Sequence, residues 1–229
     1  MHSKHPLSRV IRTKAEARAG YDRLSGWYDL LAGGAEKKCR EAGLQLLAVR
    51  SGERVLEVGS GTGEGVLPLA RSAGAAGSVT GVDLSPRMCR AARLKAARAG
   101  LAGQAVLVCA DAARLPCTGD RFDALFACFT LELFDTPEIP VVLAECRRVL
   151  RPGGRLCAVT MAQRDARSLA SALYDWAHAQ FPRFADCRPI RARGALEEAG
   201  FTVEQVQAVS LYGLPVDIVL ARNTAQLAG

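Results

Sequence analysis

The sequence contains no apolar run near the roughly 20 residues that a transmembrane helix requires. Its first nine residues also lack the apolar region of a signal peptide. Histidine is scarce as well, because only three occur in 229 residues and two of these, His2 and His5, lie at the start. These absences predict a cytoplasmic protein in which His178 is the one internal imidazole.

Residue spacings that bind metals are missing too. The eight cysteines include no Cys-x-x-Cys pair and none at a zinc-type spacing from a histidine. We therefore expect no metal site, and thiols that stay reduced rather than disulfides.

Basic residues are in excess but do not cluster. The formal net charge is +7, yet no basic block is interleaved with aromatic residues as in an RNA-binding surface. We expect no nucleic-acid partner. A mildly basic surface remains compatible with an anionic substrate or with membrane headgroups.

A short apolar run, Val55–Val58, leads into three glycines at 59, 61 and 63. The run is typical of a strand buried on both faces, and the glycines predict a tight turn into a helix from Glu64. Dinucleotide-binding turns have the spacing G-x-G-x-x-G, but position 64 is glutamate, and Glu57 precedes the first glycine. Acids on both sides of the turn disfavour a pyrophosphate and favour a ligand with a positive charge and an amino group.

Glu57 is the first of three acids that end successive predicted strands. Asp83 ends the strand over 79–84, and Asp111 follows the strand over 105–109. A carboxylate at the second strand end can accept bonds from both hydroxyls of a ribose. One acid in each βα unit predicts a ligand that lies across three strand ends.

The segment Val55–Gly63 resembles motif I of the class I S-adenosylmethionine-dependent methyltransferases, and Asp83 and Asp111 match acidic positions of that family. The resemblance implies an α/β fold, with a doubly wound, seven-stranded, mostly parallel Rossmann-like sheet and a C-terminal antiparallel hairpin. It implies S-adenosyl-L-methionine as the cofactor. The cofactor-binding residues that it implies are Tyr28, Glu57, Gly59, Ser60, Gly61, Thr62, Gly63, Asp83, Leu84, Met88, Asp111, Ala112 and Phe129.

We expect a single methyltransferase domain over residues 1–229. Within it, residues 1–50 form a helical extension or lid, 51–161 the cofactor-binding core, 162–200 a substrate cover with a helix, and 201–229 the terminal hairpin. Tyr21-Asp22 and Tyr28-Asp29 repeat seven residues apart, on one helical face. They resemble pairs in the ubiquinone and menaquinone C-methyltransferase group, which favours a lid over simple packing anchors.

A proton acceptor is needed only if the methyl acceptor loses a proton during attack. The candidates are His178, Glu132 and Tyr21, with Asp135 as a further acid. His178 is equally explained as a partly exposed helix residue, and Glu132 as an ordinary loop acid. Arg188 is a candidate for holding an anionic or carbonyl oxygen, and it is equally explained as a surface residue after the insert.

The resemblance implies methyl transfer to a small molecule. The Tyr-Asp pairs and an aromatic insert favour a quinone-like or aromatic acceptor. A phospholipid amine, a thiol or a metalloid such as arsenite are alternative acceptors, and a lipid or quinone would bring the protein to a membrane surface. The sequence Cys128–Glu132 lacks the Pro-Pro-aromatic motif of enzymes that methylate adenine or glutamine. A cofactor-binding domain without catalysis is the remaining alternative.

Overall fold

A seven-stranded sheet forms the centre of the computed structural model, which describes residues 33–163 and 188–224. The strands are β1 Arg54–Val58, β2 Ser78–Asp83, β3 Ala105–Cys109, β4 Phe122–Cys128, β5 Leu150–Met161, β6 Phe201–Leu211 and β7 Leu214–Asn223. The helices are α1 Gly33–Leu47, α2 Val66–Ala73, α3 Pro86–Arg98, α4 Ile139–Val149 and α5 Ala192–Glu198, and short 3₁₀ turns cover Ala112–Arg114 and Leu131–Leu133.

The strand order is β3-β2-β1-β4-β5-β7-β6. Strands β1 to β5 pair in parallel, whereas β7 runs antiparallel to both β5 and β6. This arrangement confirms the predicted doubly wound sheet with a terminal antiparallel hairpin. Because the order reverses between β1 and β4, a crevice is expected at their carboxyl ends, where open α/β sheets bind ligands.

The sheet divides two apolar layers. One face packs with α4 and α5, and its buried residues include Leu56, Leu125 and Leu143. The other face packs with α1, α2 and α3 around Val55, Phe126 and other buried side chains. The central strands are therefore apolar at nearly every position, which explains why these strands can be located from the sequence.

Several element boundaries differ from the sequence prediction. Helix α2 begins at Val66 rather than at Glu64, because the glycine turn continues to Gly65. Helix α4 begins at Ile139 after Glu138, so Thr136, a residue type that favours the N-cap position, does not cap it. The amide of Thr136 instead donates to Asp135 Oδ1 at 2.8 Å, which holds this segment in a turn before the helix.

The predicted lid residues Tyr21 and Tyr28, and the predicted proton acceptor His178, lie outside the described residues. Their roles, and the proposed division of the chain into lid, core, cover and hairpin, stay predictions. In the described part of the chain, no helix is long and apolar enough to cross a membrane.

Candidate functional site

The glycine turn between β1 and α2 adopts a backbone that most side chains disfavour. Gly59, Gly61 and Gly63 have φ values of +71°, +49° and +89°, in the left-handed region that glycine enters without a steric penalty. A Cβ on Gly59 would collide with the side chain of Thr130. The turn therefore lies directly against the loop that follows β4 and presents bare main chain at the carboxyl edge of the sheet.

Glu57 is buried beneath this turn, with 3% of its surface exposed. Its carboxyl lies against Gly65, because a Cβ on that glycine would collide with Glu57 Oε1, and its Oε2 has no hydrogen-bond partner among the described residues. Burial raises the pKa of Glu57 well above its usual range; the Arg40 charge opposes this shift, and the Asp83 and Glu64 charges reinforce it. The site thus contains a buried carboxyl that lacks a partner for one oxygen.

Asp83 braces the glycine turn from the end of β2. Its Oδ2 accepts a hydrogen bond from Gly61 N at 2.8 Å, and its Oδ1 accepts one from Ser85 N at 2.9 Å. The Ser85 hydroxyl caps α3 by accepting from Met88 N at 3.1 Å. Because a carboxylate oxygen can accept more than one hydrogen bond, Asp83 can accept from hydroxyl groups of a ligand while it keeps its hydrogen bond to the turn.

Asp111 caps the 3₁₀ turn after β3, with Oδ1 accepting from Ala113 N at 2.9 Å. Since β3, β2 and β1 are neighbours in the sheet, Asp111, Asp83 and Glu57 end three adjacent strands. The predicted placement of one acid at each strand end is confirmed. What each acid binds remains a proposal.

The other predicted cofactor residues also lie along this edge, in different environments. Ser60, Thr62, Met88 and Ala112 are buried, whereas Leu84 and Phe129 are half-buried. Met88 is only 2% exposed and is a core residue in the described structure. Phe129 has a φ of +50°, a strained value for a side-chain-bearing residue, and its amide donates to Val159 O at 2.8 Å.

Glu64 has a different environment from the one its sequence position suggested. Its carboxylate forms ion pairs with Lys95 and with Arg40, and the Arg40 pair spans 3.5 Å. The negative charge of Glu64 is therefore balanced at the surface. Glu57 is left as the acid buried beside the turn.

Arg40 is a candidate site residue that the sequence reasoning missed. Its side chain is 16% exposed, and its positive charge acts on both Glu57 and Cys128. It thereby brings a cation from α1 to the end of the site that holds Glu57. Arg40 lies four residues after Glu36, so both residues are on one face of α1. Only the tertiary fold brings that face to the glycine turn.

Glu132 is wholly buried in the 3₁₀ turn after β4. Its Oε1 accepts a hydrogen bond from Met161 N at 3.0 Å, while its Oε2 has no partner among the described residues. Burial raises the pKa of Glu132 to about 7, although hydrogen bonds from main-chain amides and the charge of Arg188 partly oppose this. Glu132 is therefore a carboxyl that titrates near neutral pH, and not a solvated loop acid.

Arg188 lies beside this loop and is 2% exposed. It donates to Thr136 Oγ1 at 2.9 Å and to Phe134 O at 2.6 Å. These bonds tie the segment before α5 to the loop after β4. Of the two interpretations of Arg188, the surface residue is therefore wrong, since Arg188 is part of the folded interior.

No cluster of three or more potential metal ligands occurs in residues 33–163 and 188–224. The described thiols include Cys89, Cys128 and Cys157, and burial raises the pKa of each above its usual value. These groups are thiols rather than thiolates at neutral pH.

Comparison with known proteins places these features in a family. A family model described as a methyltransferase domain matches residues 55–154. The chain is 32% identical over 174 residues to the ubiquinone/menaquinone biosynthesis C-methyltransferase of Azotobacter vinelandii (strain DJ), covering 74% of this chain and 66% of that protein. It is 30% identical over 173 residues to the protein of that name from Saccharophagus degradans (strain 2-40), covering 76% and 67%. The chain spans 66% and 67% of the length of these two relatives.

Solved structures share the fold. The structure described as the 4+2 cyclase SpnF aligns with a TM-score of 0.72 and 21% identity, over 92% of this chain and 97% of that one. A SAM-dependent methyltransferase from Aquifex aeolicus aligns with a TM-score of 0.61 and 24% identity, over 80% and 88%. At these identities the likeness establishes the architecture alone.

Proposed function

The chain belongs to the class I S-adenosylmethionine-dependent methyltransferases, and we propose that it transfers the methyl group of S-adenosyl-L-methionine to a small, quinone-like or aromatic acceptor. The observation that carries the proposal is the buried Oε2 of Glu57, which has no partner among the described residues and lies beneath a turn of left-handed glycines. A buried carboxyl oxygen of this kind needs a donor or a cation.

The residues present fit both charges of the methionine end. Glu57 would accept from the α-ammonium group, and Arg40, the missed cation on α1, would hold the α-carboxylate. Asp83 would bind the ribose hydroxyls while it keeps its bond to Gly61 N at 2.8 Å. Asp111 would accept from the adenine amino group. Each of these pairings places opposite charges or a donor and an acceptor together.

The remaining contacts are proposed to come from main chain and from apolar side chains. Ser60, Thr62 and the three glycines would line the methionine end with backbone groups. Leu84, Met88, Ala112 and Phe129 would enclose the nucleoside. Tyr28 would cover the cofactor, although it lies outside the described residues.

Bound S-adenosyl-L-methionine supplies a methyl group activated by its sulfonium centre. The protein has to align the acceptor with that methyl group and exclude water. The loop after β4 is the natural place for this alignment, because Thr130 packs against the glycine turn at Gly59. The acceptor would then lie over the carboxyl ends of β4 and β5.

We propose Glu132 as the general base for a substrate that loses a proton when it is methylated. Its pKa of about 7 is close to the value that suits a general base at neutral pH. The base is active when deprotonated, so turnover should rise as the pH increases through about 7. His178 and Tyr21 lie outside the described residues and remain alternative candidates.

The choice of acceptor is supported by the relatives, which are described as ubiquinone/menaquinone biosynthesis C-methyltransferases. A quinone acceptor would also bring the protein to a membrane surface. Arsenite gains no support from Cys128 and Cys157, because burial raises the pKa of both and so disfavours the thiolates that bind metalloids.

Transfer of a labelled methyl group to a panel of quinols, phenols, phospholipid amines and thiols tests the proposal. We expect incorporation into the quinols or phenols. The Glu132→Gln variant should keep its cofactor affinity and lose most of its turnover, together with the rise near pH 7. Cofactor binding without transfer to any member of the panel would favour a non-catalytic binding domain.

A further inference from the structure

The outer strand of the terminal hairpin, β6, has an unpaired edge in the part of the chain that the structure describes. It is the last strand in the sheet order, and its strand neighbour there is β7 alone. Residues 204–208 are all exposed, and Val206 keeps 41% of its surface exposed. Because successive residues of a strand point to opposite faces, β6 is uncovered on both faces over this stretch. Such an edge is a row of N–H and C=O groups that a second strand can pair with.

The turn between β6 and β7 determines which groups of β6 point outward. Tyr212 and Gly213 have φ values of +51° and +84°, as in the two-residue turns that close tight hairpins. The residues that flank this turn, Leu211 and Leu214, are opposite each other. Such a flanking pair exchanges both main-chain hydrogen bonds, and bonded and non-bonded pairs then alternate along the hairpin. The residues whose main-chain N–H and C=O point away from β7 are therefore Val206, Ala208 and Ser210.

The partner strand shows the same alternation. Pro215 lies opposite Ser210, and its carbonyl accepts a hydrogen bond from Ala162 N at 2.8 Å, on the side of β5. At this pair the main chain of β7 thus points away from β6, as a non-bonded pair requires. Ala208 lies two residues before Ser210 and has the same orientation.

Only one end of the β6 edge carries features that discourage pairing. The register with β7 shifts between Val203 and Gln205, so Glu204 is bulged, and its carboxylate forms an ion pair with Arg222. Bulges and charged side chains are devices that protect strand edges. Residues 205–211, in contrast, contain no charged residue and no proline. This neutral segment includes all three residues with outward main-chain groups.

A second copy of the chain fits this edge. With a twofold axis at Ala208, two antiparallel β6 strands would place Val206 of each copy opposite Ser210 of the other, and Ala208 opposite its own counterpart. Each copy would donate three main-chain hydrogen bonds and accept three. No like charges would face each other, because Glu204 would come opposite Tyr212. The edge is thus complementary to itself, as the interface of a twofold dimer must be.

We propose that the chain forms a homodimer in which two β6 edges pair antiparallel about Ala208 and join two seven-stranded sheets into one. The proposal goes beyond the proposed methyl transfer and does not depend on it. Strands β4, β5 and β7 lie between β6 and β1, so the dimer contact is remote from the glycine turn.

Sedimentation equilibrium of the full chain tests the proposal, over about 1–500 μM because small interfaces bind weakly. The mass of the wild type should rise from 24.3 kDa towards twice that value. Ala208→Lys changes an exposed side chain and would place two ammonium groups opposite each other at the axis. It should raise the Kd of the dimer at least about 10-fold and leave Tm unchanged.

Mixing two variants tests the register. Ala208→Lys and Ala208→Glu should each be weakened, and their mixture should associate again, because opposite charges then meet at the axis. A variant that fails to fold would not be rescued in this way. Val106→Lys is the matched control. Val106 is 55% exposed on β3, at the other edge of the sheet, so this variant should associate like the wild type.

Three results would overturn the dimer. One is a wild type that stays at 24.3 kDa over the whole range, as expected if another part of the chain or a different protein occupies the edge. The second is dissociation caused by Val106→Lys, and the third is a mixture of the two Ala208 variants that stays monomeric. Ala208→Lys should bind S-adenosylhomocysteine as the wild type does, and a weakened affinity would contradict the placement of the contact away from the glycine turn.

Discussion

Gly65→Ala should displace the carboxyl of Glu57 while leaving the local backbone unstrained. Gly65 has φ −89° and ψ −36°, values that alanine adopts readily. An added Cβ would lie 2.7 Å from Glu57 Cδ and 3.0 Å from its Oε2, closer than the 3.4 Å at which ordinary contact begins. Because Glu57 is buried, its side chain cannot move aside into solvent.

The expected result is a loss of cofactor affinity. A charge-assisted hydrogen bond contributes about 1.5–3 kcal/mol, so losing the proposed bond from the ammonium group should raise Kd about 10- to 150-fold. Overpacking should also lower the free energy of unfolding by about 1–3 kcal/mol. Isothermal titration calorimetry with S-adenosyl-L-methionine measures the first effect, and denaturant unfolding measures the second.

A double-mutant cycle isolates the cause. Glu57→Gln alone should weaken binding by a similar amount, and adding Gly65→Ala to it should weaken binding little further, because both changes act on one group. Gly194→Ala is the matched control. It adds a Cβ in α5 that meets nothing within 4 Å, so cofactor affinity should not change.

The reasoning would be refuted by a folded Gly65→Ala protein with wild-type affinity. It would also be refuted if the effects of Gly65→Ala and Glu57→Gln simply added, because the glycine would then act through something other than the carboxyl.

Three further outcomes are expected. Asp83→Asn should weaken cofactor binding by about 1–3 kcal/mol and lower Tm, since Asp83 also accepts from Gly61 N; a normal Kd in calorimetry would remove it from the site. Cofactor binding should release protons, because burial raises the pKa of Glu57 and an ammonium partner favours its charged form. The release should fade at pH values above that raised pKa, and calorimetry in buffers with different ionisation enthalpies would detect it; equal heats in all buffers would contradict it. The kcat of the wild type should rise with pH through about 7 if Glu132 is the base, whereas a profile unchanged in Glu132→Gln would assign the base elsewhere.

The central sheet was predictable because its strands are buried on both faces. Ala105–Cys109 is β3 in both the prediction and the structure, and the acids at the carboxyl ends of β1, β2 and β3 lie where their positions in the sequence suggested. Such strands show continuous apolar runs, and parallel topology then brings their carboxyl ends to one edge. The edge of the sheet that carries the three acids is thus largely a consequence of local pattern.

The features that were missed depend on tertiary contacts. Thr136 is a residue type that often caps helices, but its hydroxyl accepts a hydrogen bond from Arg188 and α4 begins only at Ile139. Arg40 is unremarkable in a helical segment until the fold brings α1 to the glycine turn. Glu64 and Arg188 looked like a pyrophosphate-repelling acid and a surface cation, yet one is neutralised by ion pairs and the other is buried. Burial and ion pairing between distant segments leave no periodic signal in the sequence.

The most direct test of the cofactor assignment is a calorimetric titration of the wild type and of Glu57→Gln with S-adenosyl-L-methionine and with NAD. We predict that the wild type binds S-adenosyl-L-methionine, that Glu57→Gln weakens this binding at least about 10-fold, and that neither protein binds NAD. Binding of NAD without a signal for S-adenosyl-L-methionine would contradict the account.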